Sequence, residues 1–378
     1  MTTFLSPPTG RRERPLAREW RDRAVRLAES VTTPYLPSDY LDLFAPLRSG
    51  ADLRGRIEEI HPETPDAATI VIRPGADWAG HEPGQYLRIG IDVDGVRQWR
   101  AYSLTHGPRA DGRISITVKA VPDGLVSNHL VREARPGTLV HLEQAAGEFV
   151  LQSDHDKLLF VTAGSGITPV IGMLRNLFPS TDSGVLRLPR SKDLDIVVVH
   201  VAPSRPQSIF SRDLHALADA GAIRLVARYD DEHGVLDVAD LATLVPDLHE
   251  RRTLACGPAG LLDALGTHHE AAGLELTTEQ FRTTRVEAGE GGTVAFSSGT
   301  TLEVDGATPI LDAAEEAGVL MPSGCRMGIC MGCVLPLREG SVRDLRNGAI
   351  TTAVPGESGA IKVQTCINAA AGPCQIDH

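Results

Sequence analysis

Residues 325–333 read Cys325-Arg326-Met327-Gly328-Ile329-Cys330-Met331-Gly332-Cys333, and Cys366 follows after 32 further residues. Three thiols on one loop, spaced C-x4-C-x2-C, with a fourth from a distant segment, form the pattern that holds a [2Fe–2S] cluster. Such a loop must turn its backbone N–H groups inward toward the sulfurs, which small residues permit, and Gly324, Gly328 and Gly332 meet that need. A structural zinc site is the competing reading. Zinc favours two short Cys pairs, whereas this chain has a single C-x2-C. The expected cluster ligands are Cys325, Cys330, Cys333 and Cys366, and Cys374 is left spare.

The rest of the chain must serve that centre. A length of 378 residues accommodates two or three domains, each with its own core. Apolar residues make up 42% and charged residues 23%, which describes an ordinary globular composition. No run of about 18 apolar residues appears, so no transmembrane span is expected. The start, Met1 to Arg14, is polar and Arg-rich without an apolar centre, unlike a secretory signal. Six cysteines with four assigned to a metal centre fit a reducing compartment, so a cytoplasmic location is expected. A net charge of −12 argues against a nucleic-acid partner and would steer the protein toward a basic patch on a redox partner.

Residues 1–50 read as an N-terminal extension. Trp20, Ala24, Leu27 and Ala28 make a short helical stripe, and Pro34, Pro37 and Pro46 break any regular structure after it. Over 51–152 the pattern becomes short β runs such as Ala68–Ile72, Tyr86–Ile91 and Ile114–Val118, separated by turn residues, which predicts an antiparallel β-barrel. Two motifs lie on it: Arg100-Ala101-Tyr102-Ser103, and Gly124-Leu125-Val126-Ser127-Asn128-His129-Leu130, a turn feeding a short helix. A helix start of that kind offers free backbone N–H groups to an anion.

Residues 153–286 read as an α/β domain. The apolar run Leu158–Ala163 is a buried parallel strand that passes into Gly164-Ser165-Gly166-Ile167-Thr168-Pro169 and then a helix. Strand, glycine turn and helix N-terminus together make a phosphate cradle. A second strand ends near Ala202, and a third leads into Cys256-Gly257-Pro258. Residues 287–292 (EAGEGG) have the composition of a flexible linker, and 293–378 form the α+β module that carries the cluster loop.

Taken in this order, the motifs resemble those of the ferredoxin–NADP reductase superfamily, in the branch that carries a C-terminal plant-type [2Fe–2S] ferredoxin domain of β-grasp fold. The resemblance implies an FAD site, in preference to FMN. Arg100 would bind the flavin phosphate, Tyr102 would pack on the ring and Ser103 would approach its reactive edge. Thr117, Val118 and Lys119 would line the cofactor, with Val126 and Ser127 at the pyrophosphate. It further implies that Gly164, Ser165, Gly166, Ile167 and Thr168 cradle a nicotinamide dinucleotide. Cys256, Gly257 and Pro258 would then lie beside the nicotinamide, making Ser103 and Cys256 the residues nearest hydride transfer. Phe281 would lie against the flavin. Arg205 and Arg228 stand where a 2′-phosphate would be met, which favours NADPH over NADH.

The likeness extends to Thr32–Leu41, Leu53–Ile57 and the tail from Cys325 through Cys366, which are similar to reductases serving stearoyl-CoA Δ9-desaturases. This implies a monomer that associates peripherally with a membrane acyl-CoA desaturase at the inner membrane face. Reductases of ring-hydroxylating dioxygenases and cytochromes P450 share the same domain order. Two readings of another class stand beside it: a dehydrogenase with a structural zinc module, and a non-enzymatic carrier with a vestigial flavin domain.

Overall fold

In a computed structural model of the chain, the described residues are 41, 44–93, 96–122, 124–151, 156–179, 194–281, 289–324, 326, 328, 331–355 and 361–378. The Trp20–Ala28 stripe, the Thr32–Tyr40 motif, Cys325 and Cys330 lie outside them.

Alternating apolar residues build the first sheet. Its strands are β1 (Arg54–Thr64), β2 (Ala67–Pro74), β3 (Tyr86–Val93), β4 (Val96–Ser103), β5 (Ile114–Lys119) and β6 (Leu139–Leu142). They pair in the order β4-β3-β6-β1-β2-β5, antiparallel at each pairing. A bridge between Leu104 and Ile116 joins the two ends, so the sheet closes into the expected barrel. Ile57, Ile70, Leu87, Ile89 and Ile116 fill its interior. The other face of β5 is buried as well, and its hydroxyls are paired: Thr69 with Thr117 at 2.7 Å and Thr105 with Ser115 at 2.8 Å. Such pairing is what makes a buried polar face tolerable. The second motif forms a single turn of helix, α1 (Leu125–Asn128).

The second sheet contains β7 (Lys157–Ala163), β8 (Asp195–Ala202), β9 (Arg224–Tyr229), β10 (Arg252–Cys256) and β11 (Leu276–Glu279). All are parallel, in the order β11-β10-β7-β8-β9. Continuous runs such as Leu158-Leu159-Phe160-Val161 are required because helices cover both faces. Helices α2 (Ile167–Leu177) and α3 (Ser211–Asp219) pack on one face, and α4 (Ala259–Ala272) packs on the other.

The third sheet is mixed. It comprises β12 (Gly289–Phe296), β13 (Thr301–Gly306), β14 (Val334–Asp344), β15 (Ile350–Ala353), β16 (Ile361–Gln364) and β17 (Asn368–Ile376), with helix α5 (Ile310–Glu316) packed into its core. One expectation fails here. Gly289 to Gly292, expected in a flexible linker, are the first half of β12, paired with β13 and β17. Their glycines serve close packing: a Cβ on Gly292 would lie 2.3 Å from the Gly372 carbonyl oxygen, and one on Gly291 would lie 2.3 Å from that of Val304.

The barrel and the parallel sheet meet through α2. A Cβ on Gly172 would stand 2.3 Å from the backbone oxygen of Leu104, at the end of β4. Arg175, one turn farther along, donates to the Thr105 carbonyl at 3.1 Å and to Asp213 at 3.0 Å. In a free helix Gly→Ala gains up to about 1 kcal/mol. Gly172→Ala is expected to do the reverse, costing about 1–3 kcal/mol through overpacking. A lowered unfolding midpoint in calorimetry checks it; an unchanged or raised midpoint would contradict the contact.

Candidate functional site

The barrel and the parallel sheet enclose a cavity of about 810 Å³ between them. That is a volume typical of a bound cofactor or ligand. Tyr102 and Ser103, from the end of β4, line it together with Thr117 and Lys119 from β5. Ser165 and Thr168, from the glycine turn, face them, as do Glu279 at the end of β11 and Phe281 just after it. The cavity therefore stands at the carboxyl ends of the parallel strands, where ligands of open α/β sheets bind.

Two polar atoms lack partners there. Ser103 is 4% exposed, and its Oγ has no hydrogen-bond partner; the same is true of Glu279 Oε2. A buried hydroxyl or carboxyl left unpaired costs about 1–3 kcal/mol, which a ligand's polar edge would recover. An aromatic wall and an unpaired hydroxyl fit the isoalloxazine of a flavin. Burial pushes the Glu279 carboxyl up to about 8, so it is protonated at neutral pH. Cys256, adjacent to Glu279 across the β10–β11 register, is fully buried, and burial together with that carboxyl raises its thiol well above the usual range.

Several expected residues sit elsewhere. Val118, Val126 and Ile167 point into cores, and only their backbones remain for a ligand. Ser127 Oγ bonds within its own turn, donating to the Gly124 carbonyl at 3.2 Å. Arg100 does not line the cavity; its Nη1 donates to the Trp99 carbonyl at 2.7 Å. Lys119 reaches the cavity edge but is paired with Asp66 at 3.0 Å. Gly166 is pressed against the Cys256-Gly257-Pro258 turn, where a Cβ would lie 2.0 Å from the Cys256 oxygen. This contact brings the two expected dinucleotide turns together. Gly164 has φ 55°, as its bend requires.

Arg205 and Arg228 lie beyond β8 and at β9. Arg205 is exposed, paired with Glu232 at 2.6 Å and stacked on Tyr229 at 4.5 Å. Arg228 donates to the His233 carbonyl at 3.3 Å. A 2′-phosphate would have to compete with Glu232 for the Arg205 guanidinium.

In the third module, Cys333 and Cys366 are buried with their sulfurs 3.0 Å apart. Thr365 fixes this approach, donating from its backbone N and its Oγ1 to the Cys333 carbonyl at 3.1 and 3.0 Å. Two converging buried thiols, with the other two cysteines on the loop just before them, are a donor set for iron–sulfur chemistry.

Sequence reasoning named Phe281 and passed over Glu279, two residues earlier. Its position at the carboxyl end of an edge strand of a parallel sheet was the available signal.

Two family models match the chain: an oxidoreductase FAD-binding domain over residues 63–151, and a 2Fe-2S iron-sulfur cluster binding domain over 295–370. The chain is 45% identical over 362 residues to an NADPH oxidoreductase of Mycobacterium tuberculosis, covering 93% of this chain and 91% of that protein. It is 27% identical to a glycine betaine monooxygenase reductase subunit of Pseudomonas aeruginosa, covering 79% and 87%. Among solved structures, phthalate dioxygenase reductase superposes with a TM-score of 0.58 at 20% identity, over 86% of this chain and 98% of that one, which is a likeness of fold.

Replacing Glu279 by Gln removes the titration. With a carboxyl poised at about 8, the wild-type rate of flavin reduction should fall as pH rises through 8, because an anion then opposes the arriving hydride. The Gln variant should show no such fall in stopped-flow absorbance; an identical pH profile would clear Glu279 of this role. Cys366→Ser is expected to lose the visible iron–sulfur bands while keeping the flavin spectrum, and retention of both would remove Cys366 from the ligand set.

Proposed function

The chain belongs to the ferredoxin–NADP reductase superfamily, in the branch of NAD(P)H-dependent reductases carrying FAD and one [2Fe–2S] cluster, and from that premise we propose that it feeds single electrons to an oxygen-activating iron enzyme, first among them a membrane acyl-CoA desaturase. When bound, FAD beside Tyr102 and Ser103 and a cluster held by Cys325, Cys330, Cys333 and Cys366 would supply the chemistry that turns the electron pair of a hydride into single electrons. The observation that carries this reading is the placement of one cavity between two modules, with the cluster-bearing module seated beside strand β4 of the same barrel.

On this reading Tyr102 packs on the flavin ring, and Ser103 Oγ meets a polar atom at its edge. Glu279, neutral below pH 8, places no anion against the incoming hydride. Cys256 stays a thiol, small and uncharged, where the nicotinamide would lie. Phe281, on the cavity wall, would lie against the flavin. No side chain needs to act as a nucleophile. Arg100, outside the cavity lining, would reach a flavin phosphate only beyond that lining.

The desaturase assignment is supported by the likeness of Leu53–Ile57 and of the tail from Cys325 to Cys366 to desaturase-serving reductases. Among the described residues no helix is long and apolar enough to cross a membrane, so contact with such a partner would be peripheral. A soluble oxygenase is the second reading, favoured by the glycine betaine monooxygenase reductase subunit among the relatives. Each desaturation takes two electrons from one NADPH, reduces one O₂ to two waters and removes two hydrogens from the acyl chain. The test is reconstitution of the full chain with NADPH, stearoyl-CoA and membranes containing an acyl-CoA desaturase. Unsaturated product that depends on the added chain is expected. NADPH oxidation without unsaturated product would count against the desaturase as acceptor.

A further inference from the structure

The seam between the cluster module and the flavin barrel holds two arginines, Arg88 and Arg326, that lie outside the cavity lining. Arg88, on β3, is 8% exposed. Its Nη1 donates to both Glu143 oxygens at 2.7 Å, and its guanidinium carbon lies 5.2 Å from the Trp99 ring centre. Held in this way, its Nη2 donates across the seam to the Ser323 carbonyl at 3.4 Å, two residues before the first cluster cysteine.

Arg326 answers from the other side. It follows that cysteine and takes a left-handed φ of 59°, which is unusual for a residue with a side chain. Its Nη1 donates to Asp312 at 2.9 Å, and its Nη2 to Glu315 at 2.5 Å, both on α5. The same Nη2 reaches Gln98 Oε1 on β4 at 3.5 Å. Arg100 lies within electrostatic reach of Arg326, Glu315 and Asp312. Arg88 is thus held by Glu143 within the barrel and Arg326 by Asp312 and Glu315 within the cluster module, and each guanidinium so held reaches once across the seam, to Ser323 and to Gln98.

The far end of the same loop differs. Met331 is 63% exposed, again with a left-handed φ of 57°, two residues before the buried Cys333. The loop therefore has one end held against the barrel and one end facing solvent.

We infer that Arg88 and Arg326 keep the cluster loop seated on the flavin barrel throughout turnover, and that electrons leave through the Met331 end, so the acceptor docks on a module that never detaches. This rests on the reductase reading above. The alternative is a module that swings between flavin and acceptor. Two observations weigh against swinging: residues 289–292 belong to β12 and lengthen no tether, and the Met331 end is already open to a partner. Detachment would also break the two hydrogen bonds that cross the seam, Arg88 to the Ser323 carbonyl and Arg326 to Gln98, while leaving each arginine's carboxylate partners in place.

Electrons balance without movement of the module. One hydride brings two electrons, each passes singly through the cluster, and two one-electron acceptors are reduced for each NAD(P)H oxidised with release of one proton.

The full chain carrying both cofactors is compared with Arg88→Met, Arg326→Gln and Met331→Lys, using basic cytochrome c as the one-electron probe. Arg88→Met leaves the loop intact, so it remains informative if Arg326→Gln impairs cluster assembly. Arg88→Met is expected to leave flavin reduction unchanged and to slow flavin-to-cluster transfer about tenfold or more, as misplaced redox partners do. Its radius of gyration in small-angle scattering should rise. Met331→Lys should slow oxidation of a pre-reduced cluster by cytochrome c several-fold and leave the internal transfer alone. Faster cytochrome c reduction by Arg88→Met would show that detachment limits turnover and overturn the inference. So would internal transfer at the unmodified rate in Arg88→Met, or a silent Met331→Lys. Failure of the unmodified chain to reduce its cluster at all would instead overturn the reductase reading, and the inference with it.

Discussion

The close approach of helix α2 to the end of strand β4 is the constraint on which the rest depends. Gly172 lets the helix backbone lie against Leu104, and Arg175 ties the same helix to the Thr105 carbonyl. This contact turns a barrel and a parallel sheet into one body with a cavity at their junction. Tyr102 and Ser103 immediately precede that contact in sequence, while Ser165 and Thr168 belong to the turn that starts the helix. A shift of either partner would separate the two halves of the cavity wall. Chemistry that needs two planar rings stacked within van der Waals distance tolerates little such error.

A gradient of polarity runs through the molecule. The buried side of the cavity carries little charge: Glu279 is held neutral by burial, and Lys119 is neutralised by Asp66. The seam beyond it is dense with paired charge. A neutral carboxyl at Glu279 suits hydride arrival, because that buried group then adds no anion to oppose the added electrons. At the seam, carboxylates within each module orient Arg88 and Arg326 so that each donates across it, to the Ser323 carbonyl and to Gln98.

Much of this was legible in the sequence because it rests on spacing and periodicity. The cysteine pattern identified the third module, continuous apolar runs gave the parallel strands, and short alternating runs gave the barrel. Gly289–Gly292 read as linker yet form strand, because glycine is ambiguous: close backbone packing and chain flexibility call for the same residue, and only the positions of Gly372 and Val304 distinguish them. Arg100 was expected at a phosphate, and the structure places it outside the cavity wall near Arg326 and Glu315, a neighbourhood created by a segment more than two hundred residues away. Glu279 and Arg88 carried no local motif. Their significance comes from burial and from the groups that face them across strands, which sequence order does not express.

The central claim is that electrons pass from NAD(P)H through the flavin to the [2Fe–2S] cluster within this one chain. Anaerobic stopped-flow absorbance of the purified protein mixed with NADPH tests it most directly. The account requires bleaching of the flavin followed by loss of the visible iron–sulfur bands in the same molecules. Bleaching of flavin alone, with zinc in place of iron, would make the C-terminal module structural and contradict the account.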